Sequence, residues 1–198
     1  MAGELVEDLF RRESGRVVST LTRIFGPRYL ALAEDVAQEA LVRALQLWPH
    51  RGVPANPSAW LIQTAKNLAL DSLRREASLA AKADDIARAL SPAAMTPEVM
   101  DDQLAMMFLC CHPEIPREAR VALTLKTVCG FGTGEIARAF LLQQSAAAQR
   151  IVRAKRLIRE RDLAFEALDH ELPVERTESV LEALYLLFNE GYASGGDQ

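Results

Sequence analysis

Residues 133–161 read TGEIARAFLLQQSAAAQRIVRAKRLIRER. At about 100° per residue, Ala147, Ile151, Ala154 and Ile158 fall in one narrow arc, which marks the buried side of a helix. Ala146, Gln149, Arg150 and Arg153 share a different arc at i, i+3, i+4 and i+7. A short helical stretch, TGEIARAF, precedes it across the four residues LLQQ. A short helix, a tight turn and a longer helix with polar groups at its exposed start make a helix-turn-helix pattern. In such a motif the start of the second helix enters the major groove, where Gln and Arg reach base edges. The later cations, Lys155 and Arg156 among them, suit phosphate. A solvated face on a helical bundle is the plainer alternative.

The charge distribution raises the same question. Residues 145–161 hold six cations and one carboxylate, a net of +5, in a chain of 198 residues whose formal net charge is −4. The remainder therefore stands at −9. A pI near 5.5 argues against indiscriminate nucleic-acid binding but leaves room for one local basic surface. Aromatic residues are sparse and alanine abundant, which favours helix over strand. There is no run of eighteen apolar residues and no signal-peptide core, so neither a membrane span nor export is expected. Three cysteines, two of them adjacent, form no disulfide framework, which places the protein in a reducing cytoplasm.

The expected fold is all-α, with two small helical domains joined by a linker and followed by the start of a C-terminal extension. A first helix carries Leu5, Leu9, Val17, Leu21 and Ile24 and stops at Gly26-Pro27. A second runs from about Leu30 to Trp48 and is ended by Pro49. Asn56-Pro57 caps and opens a third, which reaches about Ala77. A linker covers 78–97. Thr96-Pro97-Glu98 opens the next helix, interrupted by Pro113 and Pro116. Another spans 117–129 and is closed by Gly130 and Gly132. Thr133 and Ser145 are expected caps of the two helices of the helix-turn-helix. The domains are thus expected at 1–77 and 98–162, with an extension over 163–198. A last amphipathic helix, Val174 to Asn189, carries an apolar stripe of Leu181, Leu184, Tyr185 and Phe188. That stripe needs a cover: either module, or a second copy.

Two further helical stretches carry candidate sites. In WLIQTAKNLALDSLRRE, residues 60–76, an arc of about 120° holds Trp60, Gln63, Thr64, Asn67, Asp71, Arg74 and Arg75. Aromatic and basic groups together suit unstacked bases. Trp60 packing on the preceding loop, and Asp71 pairing with Arg74 or Arg75, fit equally. AEDVAQEALVRAL, residues 33–45, sets Asp35 and Glu39 along one side with Glu34 and Gln38 beside them. This reads as a solvated face or a docking surface for a basic partner. Cys110-Cys111-His112 invites a metal or nucleophile reading. Adjacent cysteines on a helix point about 100° apart, however, so a core role is expected.

Taken in order, these stretches resemble bacterial RNA polymerase sigma factors of the extracytoplasmic-function type. AEDVAQEALVRAL is similar to the segment that grips the clamp helices of core polymerase, which implies Asp35, Gln38 and Glu39 as polymerase-binding residues. WLIQTAKNLALDSLRRE resembles the segment that reads and melts the −10 promoter element. This implies Trp60, Lys66, Asn67, Asp71, Arg74 and Arg75 as contacts. GEIARAF and AAAQRIVRAKRLIRE resemble the helix-turn-helix that reads the −35 element, implying Ala146, Gln149, Arg150, Arg153, Lys155 and Arg156. Residues 146–148 are AAA, where relatives carry longer or hydroxylated side chains. Gln149, Arg150 and Arg153 are therefore the main candidates for base contact.

The resemblance implies a transcription initiation factor with no catalytic role, no metal and no cofactor. Its partners would be core RNA polymerase and promoter DNA. DDQLAMMFLCCHPEIPREARVALTLKTVCG and YLLFNEGYAS are similar to a subgroup with a long helical C-terminal extension. The expectation is therefore a shortened chain, whose further partner is that absent domain or a regulatory protein. The alternative is a sigma-like interaction module that binds a regulator or polymerase without reading promoters.

Overall fold

The computed structural model describes residues 2–76, 102–165 and 174–194. Every regular element among them is helical. The chain runs α1 (Ala2–Phe25), a 3-10 turn (Pro27–Tyr29), α2 (Leu30–Arg51), α3 (Pro57–Glu76), α4 (Asp102–Cys110), α5 (Arg117–Thr127), α6 (Thr133–Ala139), α7 (Gln144–Glu160) and α8 (Val174–Ser194). The expected linker over 78–97, and the helix start at Thr96-Pro97-Glu98, lie outside the described residues, as do the side chains of Leu5 and Leu9.

Local chemistry sets the boundaries. Gly26, at φ 95°, ends α1 in a conformation that L side chains rarely adopt, and Pro27 starts the 3-10 turn. The Asn56 side chain accepts a hydrogen bond from the Ala59 amide at 3.0 Å, and Pro57 takes the first helical position of α3. Pro49 does not end α2, which continues to Arg51 and stops at Gly52 with φ 81°. The amide that proline lacks would have bonded the carbonyl of Leu45, and Leu45 lies on an exposed side of the helix, where water can reach it. The cap of α6 is Gly132 rather than Thr133. Its amide donates to the Glu135 carboxylate at 2.6 Å. Gln143 rather than Ser145 caps α7.

Packing follows the small residues. Ala33, Ala37, Ala40 and Ala44 are buried on one side of α2, and this stripe lets α1 and α3 approach closely. Leu61, Ala65, Ala69 and Leu73 form the matching face of α3. In the second module Arg120 fastens the proline-interrupted loop. It donates to the carbonyls of Ile115 (2.7 Å) and Pro113 (2.9 Å), and to Ser179 of α8 (3.0 Å). α8 folds back on α4 and α5. Among its described side chains Arg176, Ser179, Val180 and Ala183 are buried, whereas Leu181, Leu184, Tyr185 and Phe188 face outward. Val180 packs against Phe108 and Cys111 at the end of α4, Ser179 meets Arg120 of α5, and the bulky stripe is turned away.

The two modules share one continuous core. α1 packs on α4 and α5, and α7 packs on the 3-10 turn. Asp102, the first residue of α4, accepts hydrogen bonds from Arg23 Nε (2.7 Å) and Thr20 Oγ1 (2.9 Å) of α1. At Gly15 the approach is closest. A Cβ there would sit 1.8 Å from the Val128 carbonyl oxygen.

Candidate nucleic-acid interface

The helix-turn-helix is built by a turn with an uncommon residue in it. Leu141 follows α6 at φ 52°, a left-handed position normally given to glycine. Its amide bonds Arg138 O (3.1 Å) and the Leu142 amide bonds Ala137 O (2.8 Å), which closes the helix end in the Schellman pattern. The side chain of Leu141 is 95 % exposed, so no packing offsets the strain. α7 closes the same way. Asp162 lies at φ 49°, the Leu163 amide bonds Ile158 O (3.1 Å), and Leu163 is buried beneath.

The buried arc of α7 is Ala147, Ile151, Ala154 and Ile158. On the outer side Gln149, Arg153 and Arg156 are exposed, while Ala146 and Arg150 are half-buried. Arg156 pairs with Glu160 at 3.7 Å, an exposed contact of little energetic weight. Val152 stands 64 % exposed beside Arg153. The sequence reading missed it, although an apolar residue just outside the buried arc was the available signal. Lys155 lies apart from these. Its ammonium is paired with the Glu34 carboxylate of α2, and the two side chains are only 19 % and 13 % exposed. In this state it is not part of the cationic outer face.

α3 presents Gln63, Asn67, Asp71, Arg74 and Arg75 to solvent. They are linked along the helix. Gln63 Nε2 donates to Asn67 Oδ1 (3.0 Å), Arg74 pairs with Asp71 (3.6 Å), and Arg75 Nε donates to the Asp71 carbonyl (3.2 Å). Trp60 is half-buried. It packs edge-on against Trp48 in the last turns of α2, with ring centroids 5.5 Å apart and planes at 65°. Its aromatic partner thus comes from the end of α2. Trp48 was missing from the sequence reading because an isolated tryptophan near a helix end carries no periodic signal. Lys66 lies elsewhere on the helix. Only 5 % of it is exposed, because its Cα lies on the inner side of α3 beside Ala65, and burial lowers its pKa.

On α2, Asp35, Gln38 and Glu39 are all exposed, and Glu39 holds Arg43 at 3.1 Å. Val42 and Leu45, both exposed, lie along the same stripe. Exposed carboxylates followed along the same side by exposed apolar residues have the character of a protein-docking surface.

Cys110 and Cys111 are fully buried. Cys110 Sγ lies 3.3 Å from Thr127 Oγ1, and Cys111 Sγ lies 3.8 Å from Thr124 Oγ1. Burial pushes the Cys111 thiol up to about 11 and that of Cys129 to about 12, and it raises Cys110 further. These are inert thiols. Among the described residues no three His, Cys, Asp or Glu side chains are grouped to hold a metal ion. No described helix is long and apolar enough to cross a membrane.

Comparison with known families matches Sigma-70 region 2 to residues 9–79, which takes in α2 and α3. Sigma-70, region 4 matches residues 105–158, which takes in the helix-turn-helix. The chain belongs to the sigma-70 family of RNA polymerase sigma factors, in its extracytoplasmic-function type. It is 30 % identical to RNA polymerase sigma factor CarQ of Myxococcus xanthus over 161 residues, covering 80 % of this chain and 90 % of CarQ. An uncharacterized protein of Rhizobium meliloti is 37 % identical over 187 residues, 90 % of this chain and 44 % of that protein. A probable RNA polymerase sigma factor, RfaY of Xanthomonas campestris, is 32 % identical over 140 residues, 67 % of this chain and 34 % of RfaY. The chain therefore spans less than half the length of these last two relatives. No solved structure matches it.

Proposed function

We propose that this chain is a transcription initiation factor that binds core RNA polymerase in the cytoplasm and directs it to promoters, without a catalytic step of its own. The observation that carries this reading is that three sets of exposed side chains, on α2, α3 and α7, lie within a chain of the sigma-70 family. Asp35, Gln38 and Glu39, with Val42 and Leu45 in the turns that follow, form the polymerase-docking stripe. Trp60, Asn67, Asp71, Arg74 and Arg75 face the −10 element. Capture of unstacked bases there offsets a few kcal/mol of unstacking. The Trp48 ring packs against Trp60 and restricts its orientation. Gln149, Arg150, Arg153 and Arg156 face the −35 element, and Val152 suits a thymine methyl.

An acidic remainder fits this division of labour. The factor alone binds DNA weakly, and net positive charge is concentrated in the helix that meets duplex. The test is retention on purified core polymerase, comparing the wild type with Asp35→Ala/Gln38→Ala/Glu39→Ala, followed by promoter-dependent transcription. Retention of the wild type and loss in a folded triple variant is the expected result. A wild type that core does not retain overturns the reading.

A further inference from the structure

Trp48 belongs to none of the three exposed sets, yet it is not simply a core side chain. Its indole sits near the end of α2, packed on the core and edge-on to Trp60 of α3. The Nε1–H is buried and has no hydrogen-bond partner among the described residues. A neighbouring ring face is a weak acceptor beside a carbonyl or a ring nitrogen. Burying a donor without a full acceptor destabilises a fold, and phenylalanine would fill much of the same space without burying one. A donor left in this state calls for a reason other than packing.

The surroundings point to the acceptor. Trp60 stands in the first turn of α3, on the side of the helix that presents Asn67, Asp71 and Arg74 to solvent. Arg51, one turn beyond Trp48, is exposed, and the connection from Gly52 to Asn56 is exposed apart from Pro54. Two indole rings with cations beside them and an open rim suit an unstacked base. A nucleobase has both of the things this place can use: a π face for an indole ring and, on its edge, a carbonyl or ring nitrogen for the N–H. A phosphate offers the acceptor but no face to stack.

We propose, resting on the sigma-factor reading, that Trp48 is the second indole of a base-holding pair and that its N–H selects the base captured from the −10 element. In the free chain the two rings lie edge-on with centroids 5.5 Å apart. That spacing admits no base between them, since a stacked base needs roughly 3.4 Å on each side. Trp60 turns out of the edge-on contact to stack on the base, and the edge of the base comes to the Trp48 N–H as Trp60 leaves it. A lone donor pairs with a carbonyl or ring nitrogen and repels an exocyclic amino group, so it discriminates among bases by their edges. Arg51 meets the phosphate beside the captured base.

The test is binding of the holoenzyme to the non-template −10 strand of a promoter that the wild-type holoenzyme selects from a duplex library. An abasic site is placed at each position of that strand in turn. Trp48→Phe removes the donor. Trp48→benzothienylalanine keeps the two-ring shape, and with it the packing on Trp60, while putting sulfur in place of the N–H. Core retention and helicity check the fold of both variants. Both are expected to weaken binding of the intact strand about 3–10-fold, as loss of one hydrogen bond does. Neither is expected to weaken it further when the abasic site falls at the one captured position. A structural role would weaken binding by the same factor wherever the abasic site lies, and that result overturns the proposal. So does unchanged binding of the intact strand by Trp48→benzothienylalanine. A wild type that core does not retain overturns the proposed function, and the base-holding pair with it. A wild type that core retains, with both Trp48 variants silent, overturns the base-holding pair alone.

Discussion

Replacing Asp102 by alanine removes the carboxylate that ties α4 to α1. Arg23 Nε is 2.7 Å away and Thr20 Oγ1 2.9 Å, and the Arg23 and Asp102 side chains are 27 % and 19 % exposed. A hydrogen bond to a charged group contributes about 1.5–3 kcal/mol when shielded and a neutral one about 1 kcal/mol. Partial exposure screens the pair, so the low end applies and the total is about 2–3 kcal/mol. Asp102 also begins α4, where a negative charge adds a few tenths of a kcal/mol. For a chain of this size each kcal/mol shifts Tm by about 2–4 °C, so Asp102→Ala lowers Tm by roughly 4–12 °C. Thermal denaturation followed by circular dichroism reads this directly. The decisive experiment is the double-mutant cycle with Arg23→Ala, for which a coupling of about 1–2 kcal/mol is expected. Coupling below about 0.3 kcal/mol would mean that α1 and α4 do not meet through this pair, and the magnitude worked out here would be refuted.

Leu141→Gly should stabilise the protein by about 0.5–1 kcal/mol, because it relieves a left-handed backbone at a side chain that packs on nothing. A lowered Tm would count against the turn geometry. The buried thiol of Cys111 and the half-buried thiol of Cys129 have folded-state pKa values above the ordinary value of 9.0. Their contribution is present in full below that value and is lost as pH rises from there through about 11–12. Tm should therefore fall above pH ~9 and fall less in Cys111→Ala, and alkylation at neutral pH should be slow until the chain unfolds. Arg153→Ala should weaken binding of the holoenzyme to −35 duplex. A loss of about 1–3 kcal/mol confined to one base position marks a base contact, whereas a uniform loss with a salt slope smaller by about 1 marks a phosphate contact.

Much of this molecule is local chemistry, and so it was legible in the sequence. Helical periodicity placed Ala147, Ile151, Ala154 and Ile158 on the inner face of α7, and Asn56-Pro57 marked the start of α3, because caps and amphipathic spacing act within one element. The order of the three motif stretches pointed to the family. Residues whose environment is made by another element could not be read this way. A helical wheel assigns directions about one axis, so it grouped Lys155 with the cations of α7 and had no means of supplying Glu34, 121 residues earlier in the chain. Trp48 and Trp60 meet only because α2 and α3 pack side by side. Pro49 stayed inside α2 because its free carbonyl partner faces water. On α8 the bulky stripe is exposed, while Arg176, Ser179, Val180 and Ala183 turn toward the rest of the module. Local spacing determined which helices form and which face of α7 is apolar. The close approach of the two modules, and with it the partner of each charge along the seam, was decided by packing between elements distant in sequence.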